Sequence, residues 1–267
     1  MSTRPGWASG LLWTAGAHVA LELVIGLLAL RAHALDLVSL GAAEALVYTV
    51  TIGIFLWLYE RGTPLRAALG LRPTHVGLAL VGIGLGSSLK LPAEALTNLV
   101  ERVFPLDDAH LLARAALYRA NGLGDVVRLC SVTCLLAPLV EELFFRGALY
   151  GRLTKSSALG AALVTGIAFV VVHADPRHWP ALCIVAAVLG FLRSMSGSLL
   201  PCLGLHVAFN AAGVLALVTG AASPTRPLSV SRIALSLSWL VAALLLWLTM
   251  RLAADPHAAR ARAEDRA

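Results

Sequence analysis

Glu141-Glu142-Leu143-Phe144-Phe145-Arg146 stands inside apolar sequence, with Leu135, Leu136, Ala137, Pro138, Leu139 and Val140 before it and Gly147, Ala148, Leu149 and Tyr150 after. One charged side chain at mid-bilayer costs at least about 2.5–3.5 kcal/mol, so a chain that keeps two adjacent carboxylates there generally uses them. On a helix Glu142 and Arg146 meet on one face as an ion pair. Glu141 points about 100° away and lacks that partner. A buried structural salt bridge with a spare Glu is the plain alternative, and the rest of the chain decides against it.

The composition excludes a soluble domain. The 267 residues are 58% apolar and 13% charged, with a mean hydropathy of +0.81, against the roughly 25% charged content of soluble domains. Apolar runs approaching the roughly 20 residues of a membrane helix recur throughout. The expected fold is therefore an all-α polytopic integral membrane protein of about eight transmembrane helices around an intramembrane polar site, in one domain over residues 1–267. The spans read as Leu11–Leu30, Leu37–Leu58, one from Val76, one from Val126 to beyond Arg146, Ala158–His173, Trp179–Arg193, Ser198–Gly220 and Ile233–Leu252. The third is expected to leave the apolar zone near Lys90, Pro92 and Glu94, and Glu101–Asp125 then forms a polar surface connection. Gly82 and Gly86 lie four apart, a spacing that lets helices approach closely. Cys130, Cys134, Cys183 and Cys202 read as packing thiols, because no second pair at metal-ligand spacing accompanies Cys130 and Cys134.

The net charge of +6 is a statement about topology, not a nucleic-acid footprint, since no aromatic-interleaved basic patch is present. With both termini inside, the inner side collects Arg61, Arg66, Arg72, Arg152, Lys155, Arg193 and the tail residues Arg260, Arg262 and Arg266. The outer side receives Arg31, Arg177, Arg226, Arg232 and the long third connection with its own basic residues, and the Lys/Arg bias favours termini in the cytoplasm. An Ala/Leu/Arg-rich composition points to a bacterial plasma (inner) membrane. The N-terminal apolar run lacks the short core and cleavage site of a signal peptide, so it is expected to be retained.

Three further polar side chains fall at membrane depth. His173 ends the fifth span, one turn after Phe169, and His206 and Asn210 lie four apart on the seventh. At about 1.5 Å per residue Glu141, His173 and His206 reach overlapping depths of roughly 12–23 Å, which permits one cluster. Glu, two His and Asn form a hydrolase kit: a carboxylate or imidazole deprotonates water, and imidazole or amide N–H groups stabilise a tetrahedral oxyanion. No Ser or Cys stands beside these residues as a nucleophile, so activated water is the natural attacker. The same atoms, Glu141, His173 and His206, could instead ligate zinc, although the His-Glu-x-x-His pattern is absent.

In this order, Glu141-Glu142-x-x-x-Arg146, Phe169-x-x-x-His173 and His206-x-x-x-Asn210 resemble the three motifs of the CAAX-protease and bacteriocin-processing (CPBP) family of intramembrane proteases, which includes the Ras-converting prenyl protease. The resemblance covers residues 126–217. It implies that Glu141 activates water with help from His173, that His206 and Asn210 stabilise the oxyanion, and that Glu142, Arg146 and Phe169 support them. It also implies a membrane-associated peptide or protein substrate met within the lipid bilayer, for which a C-terminal anchor helix is the favoured form, and no nucleic acid. A reaction without a metal cofactor is favoured over zinc, because Asn is a poor zinc ligand and a good oxyanion donor. Two rivals stand beside this reading: a non-catalytic scaffold or immunity protein of the same fold, and a proton-coupled transporter.

Overall fold

The computed structural model describes residues 7–31, 35–154, 157–223, 225 and 228–254. Among them the chain is all helix: α1 Trp7–Ala29, α2 Leu37–Tyr59, the short α3 Leu65–Ala68, α4 Val76–Val103, α5 Asp108–Leu117, α6 Leu123–Leu153, α7 Ala158–Val172, α8 Trp179–Ser196, α9 Leu200–Val218 and α10 Arg232–Ala253. Seven of these (α1, α2, α4, α6, α8, α9 and α10) are long and apolar enough to cross a membrane. The protein is a polytopic all-α membrane protein. The span read as the fifth is the 15-residue α7, which at about 1.5 Å per residue is shorter than a bilayer core.

The third span continues as helix past Pro92: α4 runs 28 residues to Val103, about 42 Å, longer than a bilayer core of about 30 Å. Lys90 and Glu94 pair across one turn at 2.8 Å within it. The polar connection that follows contains α5, capped by the Asp107 carboxylate on the His110 N–H. Arg114 ties α5 back to Glu101 at 2.7 Å.

Small residues set a close approach between α4 and α9. Gly82 lies against the Pro201 carbonyl and Gly86 against the backbone of Leu205 and Phe209, where a β-carbon would overlap main-chain atoms. The four-residue glycine spacing therefore seats α9, the carrier of His206, directly on α4. A second packing centre surrounds the end of α6, where Phe144, Phe145 and Phe169 are completely buried with Tyr48 and Phe55 of α2. Side chains such as Leu12, Leu80, Leu163 and Leu240 project outward, as they would toward lipid.

Arg193 was expected as an inner-loop charge. It is instead buried inside α8, donating from Nε to the Arg146 carbonyl at 2.8 Å and lying over the Tyr150 ring. Lys155, Arg226 and the tail arginines lie outside the described residues. All four cysteines are free thiols, with Cys134 and Cys202 buried.

Candidate active site

The acidic helix is not a regular α-helix. Residues Cys130–Leu136 and Leu143–Leu149 of α6 are π-helical, on either side of the turn Ala137–Glu142. Pro138 accounts for the first irregularity. The Ala137 N–H bonds the Val132 carbonyl in the wider π pattern. That pattern would next pair Thr133 with the N–H of residue 138, which proline lacks. The freed Thr133 carbonyl takes its hydrogen bond from the Asn210 side-chain amide of α9, at 2.7 Å. π-Bulges of this kind are frequent at functional sites.

Past Pro138 the two glutamates part. Glu142 and Arg146 are completely buried and joined at 3.1 Å, and neither reaches the cavity described below. Glu141 faces that cavity, and its Oε2 is buried with no hydrogen-bond partner. The 100° separation expected from helical geometry is thus realised as a difference of surroundings: Glu142 turns inward to Arg146 and Glu141 lines the cavity.

His206 stands between them. Its Nδ1 lies 2.9 Å from Glu142 Oε1, and its Nε2 lies 3.8 Å from Glu141 Oε2. A carboxylate only accepts, so Nδ1 donates. His173 caps the end of α7, with its Nδ1 2.7 Å from the Phe169 carbonyl. The carbonyl also accepts only, which fixes the proton on Nδ1 and leaves Nε2 of the neutral ring as a free acceptor. Phe169 underlies both imidazoles, at 4.6 Å from His173 and 5.7 Å from His206, centroid to centroid. The Arg146 guanidinium stacks 4.4 Å from the Phe169 ring.

Glu141, Phe169, His173, His206 and Asn210 all line one cavity of about 780 Å³. Every candidate residue carried by the three motifs is therefore at this site, five on its wall and Glu142 and Arg146 behind it. The sequence reading placed the membrane polar groups around three helices only. Among the described residues the wall also holds Glu44 of α2 and a stripe on α4, Lys90, Glu94, Thr97 and Glu101. Glu44 was missed although the same rule that singled out Glu141 applies to it: it is a lone acid in the apolar run Leu37–Tyr59. The α4 stripe was not joined to the site because Lys90 and Glu94 read as an interfacial ion pair and Glu101 as part of a surface connection. It gives the cavity a polar wall by which water can reach the imidazoles.

Among the described residues no three His, Cys, Asp or Glu side chains converge as a metal-ligand group. His206 and His173 each have one ring nitrogen committed to a protein acceptor, and the Asn210 amide is committed on one N–H to Thr133.

Residues 124–212 match the family model for type II CAAX prenyl endopeptidase, Rce1-like. Over this segment the chain resembles the Rce1-like family. No curated protein and no solved structure matches it. The matched third of the chain runs from the start of α6 into α9 and contains all three motifs, so the Rce1-like segment supplies every motif residue of the cavity. The family so described is one of CAAX-type endopeptidases. Glu44 and the α4 stripe lie outside the Rce1-like segment.

Proposed function

We propose that this protein is an intramembrane endopeptidase that hydrolyses a peptide bond of a membrane-associated peptide or protein with water activated by Glu141 and His173. The observation that carries this reading is the convergence on one cavity wall of a carboxylate with one oxygen that accepts no hydrogen bond, an imidazole with a free acceptor nitrogen, and a second imidazole and an amide with donor capacity. Water bound between Glu141 and His173 Nε2 gives a proton to Glu141 as its oxygen bonds the carbonyl carbon. The resulting oxyanion takes hydrogen bonds from the second N–H of Asn210 and from Nε2 of His206 in its imidazolium form. Glu142 steadies that imidazolium from the other side. When the C–N bond breaks, the proton held by Glu141 leaves on the amine nitrogen.

The donor set favours chemistry without a metal. His206 is turned by its Glu142 bond and Asn210 by its Thr133 bond into donor positions, and an amide N–H serves an oxyanion better than a cation. Leu21, Ile25, Leu37 and Leu40 line the same cavity and suit an apolar segment, such as a C-terminal anchor helix. The setting is the plasma membrane of a bacterium, with both termini cytoplasmic.

Hydrolysis is tested in proteoliposomes with a membrane-anchored peptide in ¹⁸O-labelled water. The new C-terminal carboxyl should carry the label with wild type, and no product should form with Glu141→Gln. Product formed equally by the variant, or cleaved product without label, removes this mechanism.

A further inference from the structure

Gly41, Glu44 and Tyr48 share one face of α2, at positions one turn apart. Both flanking residues are pinned to the acidic helix. Gly41 packs on Val132 so closely that a β-carbon would overlap its side chain, and Tyr48 is buried against Phe144, 5.1 Å between ring centroids. Held on both sides, Glu44 faces α6 rather than lipid. It lines the cavity, and its carboxyl lies in hydrogen-bonding contact with that of Glu141. Glu141, His173 and His206 share the cavity wall with it. Among the described residues no salt bridge reaches it.

Two carboxyl groups in contact form a hydrogen bond only when one of them carries a proton, and like charges so close do not both ionise. Glu141 Oε2 is buried and has no donor among ionised or backbone groups. We infer that Glu44 is a positioning residue that, as a neutral carboxylic acid, donates a hydrogen bond to the Glu141 carboxylate and aims it at the attacking water. This rests on the hydrolytic role proposed for Glu141. The Glu44 proton is not consumed: the water's proton passes to Glu141 and from there to the departing amine, while Glu44 keeps its own. Glu44 lies outside the three motifs, so the inference adds a contribution from α2 to a site otherwise built by α6, α7 and α9.

The first test needs no substrate. Infrared spectra of purified protein in detergent at neutral pH are compared for wild type and Glu44→Gln. A carbonyl stretch of a protonated carboxylic acid should be present in wild type and absent from the variant. Absence of that band in wild type, or its survival after Glu44→Gln, overturns the inference whatever the protein cleaves. The second test measures cleavage of the membrane-anchored peptide in proteoliposomes. Gln can still donate, so Glu44→Gln should lose less than about tenfold, whereas Glu44→Leu should lose about 10²-fold, as for removal of one preorganised donor. A Glu44→Leu protein with wild-type melting temperature and wild-type rate ends the positioning role while leaving Glu141 as the base. Should Glu44→Leu not fold, the infrared comparison of the glutamine variant still decides.

Discussion

His206 is bonded to Glu142 rather than to its neighbour Glu141: Nδ1 lies 2.9 Å from Glu142 Oε1, while Nε2 stands off Glu141 Oε2 at 3.8 Å. The same Glu142 oxygen also takes the Arg146 guanidinium at 3.1 Å. One buried carboxylate therefore both neutralises Arg146 and orients the imidazole that faces the cavity.

Breaking that carboxylate should cost stability and activity together. Glu142→Gln leaves the completely buried Arg146 without its charge partner, a loss of about 3–5 kcal/mol for a broken buried pair. Glu142→Gln combined with Arg146→Met should recover much of the stability, since an apolar replacement of a buried pair is frequently neutral. It should not recover the rate, because a neutral amide oxygen steadies the His206 imidazolium less than the carboxylate does. Melting temperature in detergent and turnover, measured on both variants, separate the two effects. Full activity in the folded double variant would remove Glu142 from the orientation of His206.

Asn210 bonds the Thr133 carbonyl and, in the proposed mechanism, also serves the oxyanion; a second substitution can divide the two. Asn210→Ala leaves the Thr133 carbonyl without its donor, costing about 1–3 kcal/mol as a buried unsatisfied group, and removes an oxyanion donor, costing about 10²–10³-fold in rate. Pro138→Ala restores a backbone N–H to α6. In the Asn210→Ala background it should raise the melting temperature and leave the rate low. Recovery of both would make Asn210 a helix-capping residue alone.

The α4–α9 contact gives a steric prediction. Gly86→Ala places a methyl group into the backbone at Leu205, adjacent to His206. Overpacking of this kind costs about 1–3 kcal/mol, and displacement of His206 should lower turnover with it. Gly53→Ala, where a β-carbon meets open space, is the control and should change neither quantity.

A zinc chelator tests the donor assignment. Activity is expected to survive prolonged treatment, with no stoichiometric zinc in the purified protein. Activity lost on chelation and regained on adding zinc would convert Glu141, His173 and His206 from base and donors into ligands.

How much of this was legible in the sequence follows from which physical rules act locally. Glu141, Glu142 and Arg146 declared themselves because charge in an apolar run is costly and the helical period fixes who faces whom. Gly82 and Gly86 told of a close helix crossing for an equally local reason. The π-helical turns of α6 were not legible: Pro138 was visible, but the wider hydrogen-bond pattern and the capture of Asn210 by Thr133 depend on α9 arriving from 77 residues away. The burial of Arg193 was missed because its partner is a carbonyl on another helix, and carbonyls leave no mark in composition. Glu44 was within reach of the rule applied to Glu141, and was passed over because it belongs to no motif.

The central claim is that Glu141, not Glu142, activates the water. Turnover of a membrane-anchored peptide by folded Glu141→Gln, against wild type at matched melting temperature, tests it most directly. The variant is nearly isosteric and cannot take the water's proton, so the rate should fall by about 10²–10⁴-fold, the range for lost acid–base catalysis. A folded Glu141→Gln protein that turns over at the wild-type rate would contradict the account.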